Sequence, residues 1–158
     1  MINNKFCLKD FAHSGLRKFR TDDIQPVIVS NLVALHAQLK IIQIAVKAKK
    51  PGYCISITSG YRPQWYNEEL RKGSDGVAKK SKHTLGMAAD IYMGVDPTCG
   101  VEYAEGEPDE RARELYQIVL DLMLHREITR GGIGCYSSFV HYDIRGRLVE
   151  FRPPVTKG

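Results

Sequence analysis

The sequence lacks a long apolar run and lacks the pattern of a leader peptide. No stretch reaches the roughly 18 uninterrupted apolar residues that a membrane-spanning helix needs. The segment Met1 to Lys9 does not show the basic, then apolar, then small-residue order of a secretory signal. We therefore expect no membrane span, and we expect synthesis in the cytoplasm.

Cysteine is scarce and scattered. The four cysteines are Cys7, Cys54, Cys99 and Cys135. None forms a C-x-x-C pair, so the sequence indicates neither a cysteine zinc cluster nor a redox motif. Without a leader peptide we expect free thiols that pack as small apolar groups, with Cys54 and Cys135 in the core. A disulfide formed after export is the alternative.

Internal repeats, low-complexity tracts and linkers are also missing from the 158 residues. We expect a single domain over residues 1–158, with an irregular N-terminal extension (1–20) and an irregular tail (153–158). We also expect the protein to be a monomer. The formal net charge is +5, but acidic and basic residues are interspersed. No aromatic stacking platform accompanies Lys79, Lys80 and Lys82, so nucleic acid is not predicted as a partner.

Hydrophobic periodicity predicts both helices and strands. Apolar residues three and four apart predict a long helix from about residue 22 to residue 48, and Pro108 opens a second helix that ends near residue 125. A short helix over 63–72 is also predicted. The predicted strands are residues 54–58, 86–93, 135–136, 138–144 and 148–152, with a hairpin turn at 145–147. The fold class is α+β, with an antiparallel sheet of four to five short strands packed by two to three helices.

Two groupings of histidine and carboxylate can carry chemistry. In the first, small residues between His83 and Asp90 let the chain bend back and bring both to one ion. In the second, His141 and Asp143 are two apart, which on a strand places both on the same face. Each residue alone has a structural explanation, as a loop, turn or core residue. Together, two imidazoles and a carboxylate predict an open three-ligand zinc site whose fourth position takes water.

These groupings stand in a longer pattern. It comprises Thr58-Ser59-Gly60-Tyr61-Arg62, Ser81-x-His83, Leu85-Gly86-x-Ala88-Ala89-Asp90, Gly132-Ile133-Gly134-x-Tyr136 and Phe139-Val140-His141-x-Asp143-x-Arg145-Gly146. From about residue 31 to residue 146 the sequence resembles the zinc D-Ala-D-Ala carboxypeptidase family of peptidoglycan peptidases. The resemblance implies an α+β fold related to the hedgehog and lysostaphin-type domains, and a catalytic zinc ion. It also implies hydrolysis of peptide bonds in cell-wall stem peptides or cross-links, by carboxypeptidase or endopeptidase action.

The resemblance also implies roles for individual residues. The implied zinc ligands are His83, Asp90 and His141. Arg62 is the implied cation that binds or polarises the scissile carbonyl, where a guanidinium can stabilise the developing oxyanion. The residues implied to contact the substrate or to support the ligands are Ser81, Tyr61 and Arg145.

The general base is where this sequence departs from the family pattern. Some relatives have Glu three residues before the last histidine ligand and others have His two before it, but here Ser138 and Phe139 occupy those positions. Asp143 is therefore predicted either as the base or as the group that orients a ligand. The fallback carboxylates are Glu68, Glu69 and Asp75.

Two function classes follow. The first is a zinc peptidase, either a bacterial enzyme or a phage lysin, whose partner is a peptidoglycan peptide. Such a peptidase would act on the cell wall after release, or as a component of the virion. The second is a zinc-stabilised binding module for cell wall or protein that does not turn over. The missing Glu or His before His141 favours the second class, whereas Asp143, Arg62 and the complete ligand set favour the enzyme.

Overall fold

The structure is a computed structural model that describes residues 1–74, 76–98 and 106–155. Its α-helices are α1 (Pro26–Lys49), α2 (Gln64–Gly73) and α3 (Pro108–Leu124), with short 3-10 helices at Leu8–Asp10 and Lys82–Leu85. Its strands are β1 (His13–Ser14), β2 (Arg17–Lys18), β3 (Tyr53–Ser59), β4 (Ala88–Val95), β5 (Gly132–Cys135), β6 (Val140–Asp143) and β7 (Val149–Arg152). The strands form one sheet in the order β2-β1-β3-β4-β6-β5-β7. The predicted α+β class is confirmed.

Helix α1 supplies much of the core. Its buried side chains recur every three or four residues and are Leu32, Leu35, His36, Leu39, Ile42 and Val46. The helix begins at Pro26, about four residues later than predicted, because proline is favoured at the first helical position. By length and composition α1 could cross a membrane, but the core helices of soluble proteins pass the same test. Its buried face packs against β3 and α3.

Helix α3 packs beside α1 on the sheet. Pro108 occupies its first turn together with Asp109 and Glu110, whose negative charges favour a helix N-terminus. Its buried face includes Leu115 and Val119, which join the core formed with the sheet. The two long helices thus pack on the sheet, α1 against β3 and α3 against β4, β5 and β6.

The sheet differs from the prediction in size and direction. The described residues form seven strands rather than four or five, and β7 pairs parallel to β5. Two added strands come from the N-terminus, where the β1–β2 hairpin joins the sheet through Ser14 opposite Ser59. Residues 1–20, expected to be irregular, are therefore partly ordered, and Phe11 is fully buried. Residues 153–155 lie outside any helix or strand, and 156–158 lie outside the described residues.

The hairpin predicted at residues 145–147 is wrong. Both edges of β6 are already paired, one with β4 and the other with β5, so β7 cannot pair with β6. Instead the Gly146 amide donates to the Arg130 carbonyl and the chain continues to the free edge of β5. Gly146 has a positive φ of 98°, which glycine adopts without steric cost.

The described cysteines are free thiols. Cys54 and Cys135 are buried free thiols, as predicted, and Cys7 is an exposed free thiol. Cys99 lies outside the described residues.

Candidate metal centre and its cleft

The register between two central strands brings two of the predicted ligands together. Asp90 of β4 pairs directly with His141 of β6. Directly opposed residues on neighbouring strands have side chains on the same face of the sheet. Asp90 Oδ1 accordingly lies 3.2 Å from His141 Nδ1.

His83 reaches the same point from the turn that precedes β4. Ser81 caps the 3-10 helix Lys82–Leu85, because its Oγ accepts a hydrogen bond from the His83 amide at 3.2 Å. Gly86 then ends the helix with φ at 70°, where a side chain would meet the Ile28 carbonyl. The reversal places His83 Nε2 at 3.3 Å from Asp90 Oδ1.

In each imidazole one nitrogen is bound to a group outside the proposed ligand set, which leaves the other nitrogen facing Asp90. His83 Nδ1 lies 2.8 Å from the Gly60 carbonyl, which can only accept, so Nδ1 carries the proton and Nε2 presents a lone pair. His141 Nε2 lies 2.9 Å from Asp143 Oδ2 and Nδ1 lies 3.2 Å from Asp90 Oδ1, so with the proton on Nε2 the Nδ1 lone pair faces Asp90. Two nitrogen lone pairs and a carboxylate oxygen thus converge on one point.

This convergence fits a zinc ion. Ligand atoms of His83, Asp90 and His141 all lie within 4.8 Å of one another. Two imidazoles with one carboxylate is a typical ligand set of catalytic zinc. The histidines are only 3% and 9% exposed. Facing lone pairs at this spacing repel one another unless a cation or an added proton lies between them, so the donor set itself calls for positive charge.

The pKa values of Asp90 and His141 are shifted by the charges of their neighbours. Burial acts to raise the pKa of Asp90, but His83 and His141 outweigh burial and hold the pKa well below its usual range. Burial acts to lower the pKa of His141, but Asp143 and Asp90 outweigh it and raise the pKa. Asp90 therefore stays ionised beside the two histidines.

Asp143 lies directly behind the metal centre and is saturated with donors. Its Oδ1 accepts from the Gly132 amide at 2.9 Å, the Arg145 amide at 3.2 Å and Arg145 Nε at 2.8 Å. Its Oδ2 accepts from Arg145 Nη2 at 2.7 Å and from His141 Nε2 at 2.9 Å. A carboxylate has about four lone-pair positions, so none is left for the proton of a water molecule.

The surroundings of Asp143 therefore fit one of its two predicted roles. Its side chain is completely buried. Burial acts to raise its pKa, but hydrogen bonds from Arg145 and His141 outweigh burial and hold the pKa far below its usual range. A group that holds a proton so weakly is a poor base. The geometry fits the orienting role and does not fit the base.

The glycines before and within β5 make room for this arrangement. A side chain at Gly131 would overlap the Asp143 backbone, and one at Gly132 would overlap the Asp143 carboxylate and the Arg145 guanidinium. A side chain at Gly134 would meet the Phe151 ring. These positions need glycine because other groups approach the backbone closely.

Arg62 and Ser81 form the wall beside His83. Arg62 Nε donates to Asn67 Oδ1 at 3.0 Å, and Nη2 donates to Ser81 Oγ at 3.0 Å. The Arg62 amide also donates to the His83 carbonyl at 3.3 Å. Burial lowers the pKa of Arg62, but an arginine stays charged across the physiological range. The structure thus brings Arg62 and Ser81 to the ligands.

Tyr61 is not brought to the same place. Its amide donates to the Phe11 carbonyl, its side chain packs against the core, and it does not line the cleft. Of the fallback carboxylates, Glu68 pairs with Arg71 and Glu69 is exposed, and neither lines the cleft. Asp75 lies outside the described residues.

A cleft of about 750 Å³ opens over the metal centre. Its lining includes residues to which the sequence assigns no role, namely Tyr136, Phe139, Phe151 and Arg152. The Phe151 ring contacts the His141 ring edge-on, with centroids 5.1 Å apart. Tyr136 stood in the family pattern without a role, and the residues of β7 reach the cleft only through the unforeseen parallel pairing.

Comparison with known proteins now places the chain. A family model described as peptidoglycan L,D-endopeptidase MepK, Peptidase_M15_2, matches residues 4–101, more than half of the chain. The chain belongs to this family. The matched region contains His83, Asp90, Arg62 and Ser81, whereas His141 lies beyond it.

Curated relatives agree with this assignment. The peptidoglycan L,D-endopeptidases MepK of Escherichia coli strain K12 and of Shigella flexneri are each 34% identical to the chain over 111 residues, 69% of its length. The chain spans about half the length of these relatives, since the match covers 48% of each. Among solved structures, the Serratia marcescens L-Ala D-Glu endopeptidase ChiX matches with a TM-score of 0.48 and 16% identity, over 77% of this chain and 88% of that one.

Proposed function

We propose that this chain is a zinc-dependent peptidase that hydrolyses peptide bonds in peptidoglycan stem peptides or cross-links. The observation that carries the proposal is the convergence of His83, Asp90 and His141 at the base of a cleft. Family membership supports the substrate class, because the relatives are named peptidoglycan L,D-endopeptidases. That name favours endopeptidase over carboxypeptidase action.

The ligand atoms follow from the hydrogen bonds. His83 through Nε2, His141 through Nδ1 and Asp90 through Oδ1 would hold the zinc, because the other imidazole nitrogens are engaged with Gly60 and Asp143. A bound zinc would supply Lewis-acid chemistry, which polarises a carbonyl and lowers the pKa of water. The Gly60 carbonyl and the Asp143 carboxylate keep both rings in the protonation and orientation that zinc binding requires.

Arg62 supplies the positive charge for the scissile carbonyl. Asn67 and Ser81 hold its guanidinium beside His83, so it need not reorganise when negative charge develops on the carbonyl oxygen. Ser81 uses its oxygen to accept from Arg62 and from the His83 amide, so its hydroxyl proton can be donated to the substrate. Arg145 acts indirectly, because its hydrogen bonds hold the Asp143 carboxylate in place.

A zinc-stabilised binding module without turnover is the second candidate. One observation favours it: Asp90 is the sole carboxylate among the described residues that line the cleft, and it is itself a proposed ligand. Asp143, behind the cleft, has no lone pair to spare. No described cleft carboxylate is therefore left to accept the proton of an attacking water.

Digestion of purified peptidoglycan distinguishes the two candidates. The wild-type protein, the His83→Ala variant and a His125→Ala control are incubated with the wall, with chelator and after zinc is restored. His125 is a matched control because it is exposed and does not line the cleft. The peptidase releases new amino groups in the wild type and the control only, and chelator stops the release.

The products identify the bond, and two results would oppose the proposal. Mass spectrometry of the soluble fragments distinguishes a cut cross-link from a removed terminal residue. Zinc binding without release of amino groups from several wall types would favour the binding module. Full hydrolysis by His83→Ala would refute the assignment of this ligand.

A further inference from the structure

The cleft over the metal centre is strongly cationic. Five basic side chains line it: Arg62, Lys80, Lys82, Arg145 and Arg152. Among the described lining residues one carboxylate, Asp90, opposes them. Arg145 pairs with Asp143, and Arg62 is bound to Asn67 and Ser81. Arg152 has no assigned role.

Contacts other than an ion pair hold Arg152, which has no acidic partner among the described residues. Its Nε donates to the Cys135 carbonyl at 3.0 Å. Its guanidinium carbon lies 4.4 Å from the centroid of the Tyr136 ring, and that ring stacks on Phe139 at 4.6 Å with an interplanar angle of 8°. Its backbone is fixed opposite Gly134 by the β5–β7 pairing. The guanidinium thus forms the outer layer of a three-layer stack in the cleft wall.

The two terminal nitrogens of the Arg152 guanidinium are available to a ligand in the cleft. Within the described residues, the bond to Cys135 uses Nε, and Nη1 and Nη2 have no hydrogen-bond partner. Arg152 is exposed, but its guanidinium has two contacts, the bond from Nε to the Cys135 carbonyl and the face of the Tyr136 ring. The two terminal N–H groups of a planar guanidinium match the two oxygens of a carboxylate. A lysine at this position would offer charge without this geometry.

We propose that Arg152 is a carboxylate-binding residue. It selects acidic peptides because it pairs with a free carboxylate of the peptide that occupies the cleft. This inference rests on the proposed function, since it concerns the same cleft. The carboxylate can belong to an acidic side chain or to a peptide C-terminus, which share the same chemistry. The ring of Tyr136 positions the guanidinium and limits its rotation.

Matched peptides test the proposal. One wall-type peptide carries both a side-chain carboxylate and a free C-terminus, and two further versions are amidated at one of these groups. The zinc-loaded wild type is compared with Arg152→Gln, Arg152→Lys and the control Arg147→Gln. Arg147 is exposed and does not line the cleft, and its replacement removes the same charge. Both kcat/KM and Kd are measured.

The expected result is a loss of discrimination. In the wild type and in Arg147→Gln, amidation of the recognised carboxylate weakens binding by about 10- to 100-fold, as for a charge-assisted hydrogen bond. In Arg152→Gln the doubly acidic peptide binds as weakly as the amidated one, so the ratio falls to near one. Arg152→Lys gives an intermediate ratio. The amidated version that loses affinity identifies which carboxylate is bound.

Other outcomes separate this inference from the proposed function. If Arg152→Gln keeps the wild-type ratio, or if no version of the peptide binds the wild type, the inference is overturned. If the ratios of Kd change as expected while none of the peptides is hydrolysed, Arg152 binds carboxylates and the peptidase proposal alone fails. Unchanged zinc content in Arg152→Gln excludes an indirect effect through the metal centre.

Discussion

His141 Nε2 and Asp143 Oδ2 lie 2.9 Å apart, on residues separated by two positions of one strand. The bond directs the other nitrogen of His141 toward Asp90 and His83. Asp143 is in turn fixed by Arg145, whose Nη2 lies 2.7 Å from the same carboxylate oxygen. The geometry of Asp143 therefore fits a residue that orients His141, a proposed zinc ligand, and does not fit a residue that accepts a proton from water.

Replacement of this carboxylate distinguishes a support from a base. Asp143→Asn presents a neutral amide, which loses the ion pair with Arg145 and can offer His141 a donor instead of an acceptor. We expect zinc affinity to fall about 10- to 100-fold, with activity largely recovered at saturating zinc. Titration against a competing chelator measures the affinity, and the exposed Asp23→Asn is the control. Wild-type zinc affinity with turnover abolished would instead identify Asp143 as the base.

Arg62 is predicted to act on the reaction rather than on the metal. Arg62→Ala should lower kcat by about 100-fold or more, as the loss of an oxyanion donor does, while the zinc content is unchanged. Arg62→Lys should recover part of the rate, because it keeps the charge but loses the bonds to Asn67 and Ser81. Steady-state kinetics with a defined peptide measure both. A rate within twofold of the wild type for Arg62→Ala would remove this residue from the mechanism.

Gly132 is predicted to be intolerant of any side chain. A methyl group there would overlap the Asp143 carboxylate and the Arg145 guanidinium, so Gly132→Ala should lower the free energy of unfolding by about 1–3 kcal/mol and weaken zinc binding. Gly73→Ala is the matched control, because a side chain at Gly73 meets open space at the end of α2. Urea unfolding compares them. Equal stability of the two variants would show that the β5 backbone is not constrained as described.

Asp96, which is not one of the proposed zinc ligands, provides a pH-dependent contribution to the stability of the fold. It accepts from the Thr98 hydroxyl at 2.7 Å and the Thr98 amide at 2.9 Å, and pairs with Lys47 of α1 at 3.0 Å. These bonds, led by the Thr98 hydroxyl, lower its pKa from 3.8 to about 2. A lowered pKa stabilises the fold above pH 3.8, and the contribution is lost as pH falls toward about 2.

The corresponding variant is Asp96→Asn. It should be less stable than the wild type near neutral pH, and the difference should shrink as pH falls through about 3, because the wild-type carboxylate then protonates. Urea unfolding of metal-free protein at several pH values measures the difference without a contribution from zinc release. A difference that does not change with pH would contradict the assigned cause.

Local sequence patterns predicted the helices and the two histidine–carboxylate groupings, because each of these lies within one short segment of the chain. Pro108 and the charges after it define the start of α3, and the spacing of His141 and Asp143 defines a shared strand face. The sheet order could not be predicted in the same way. The parallel pairing of β7 with β5 joins distant segments, and periodicity carries no information on which strands are neighbours.

Because strand neighbours could not be predicted, several residues of the cleft were also not predicted. Arg152 and Phe151 line the cleft because of the β7 pairing, so their positions were not apparent along the chain. Asp143 was found by its spacing, but its role depended on Arg145 and on the Gly132 amide, which only the folded chain brings together. Tyr61 shows the reverse case, since it stands in the family pattern but packs against the core.

The central claim is that His83, Asp90 and His141 hold a single zinc ion. Elemental analysis of the purified protein, before and after dialysis against chelator and zinc, measures this directly. We predict one zinc per chain in the wild type and in the His125→Ala control, and loss of zinc in His83→Ala and His141→Ala. No bound zinc in the wild type after reconstitution, or full zinc occupancy in both ligand variants, would contradict the account.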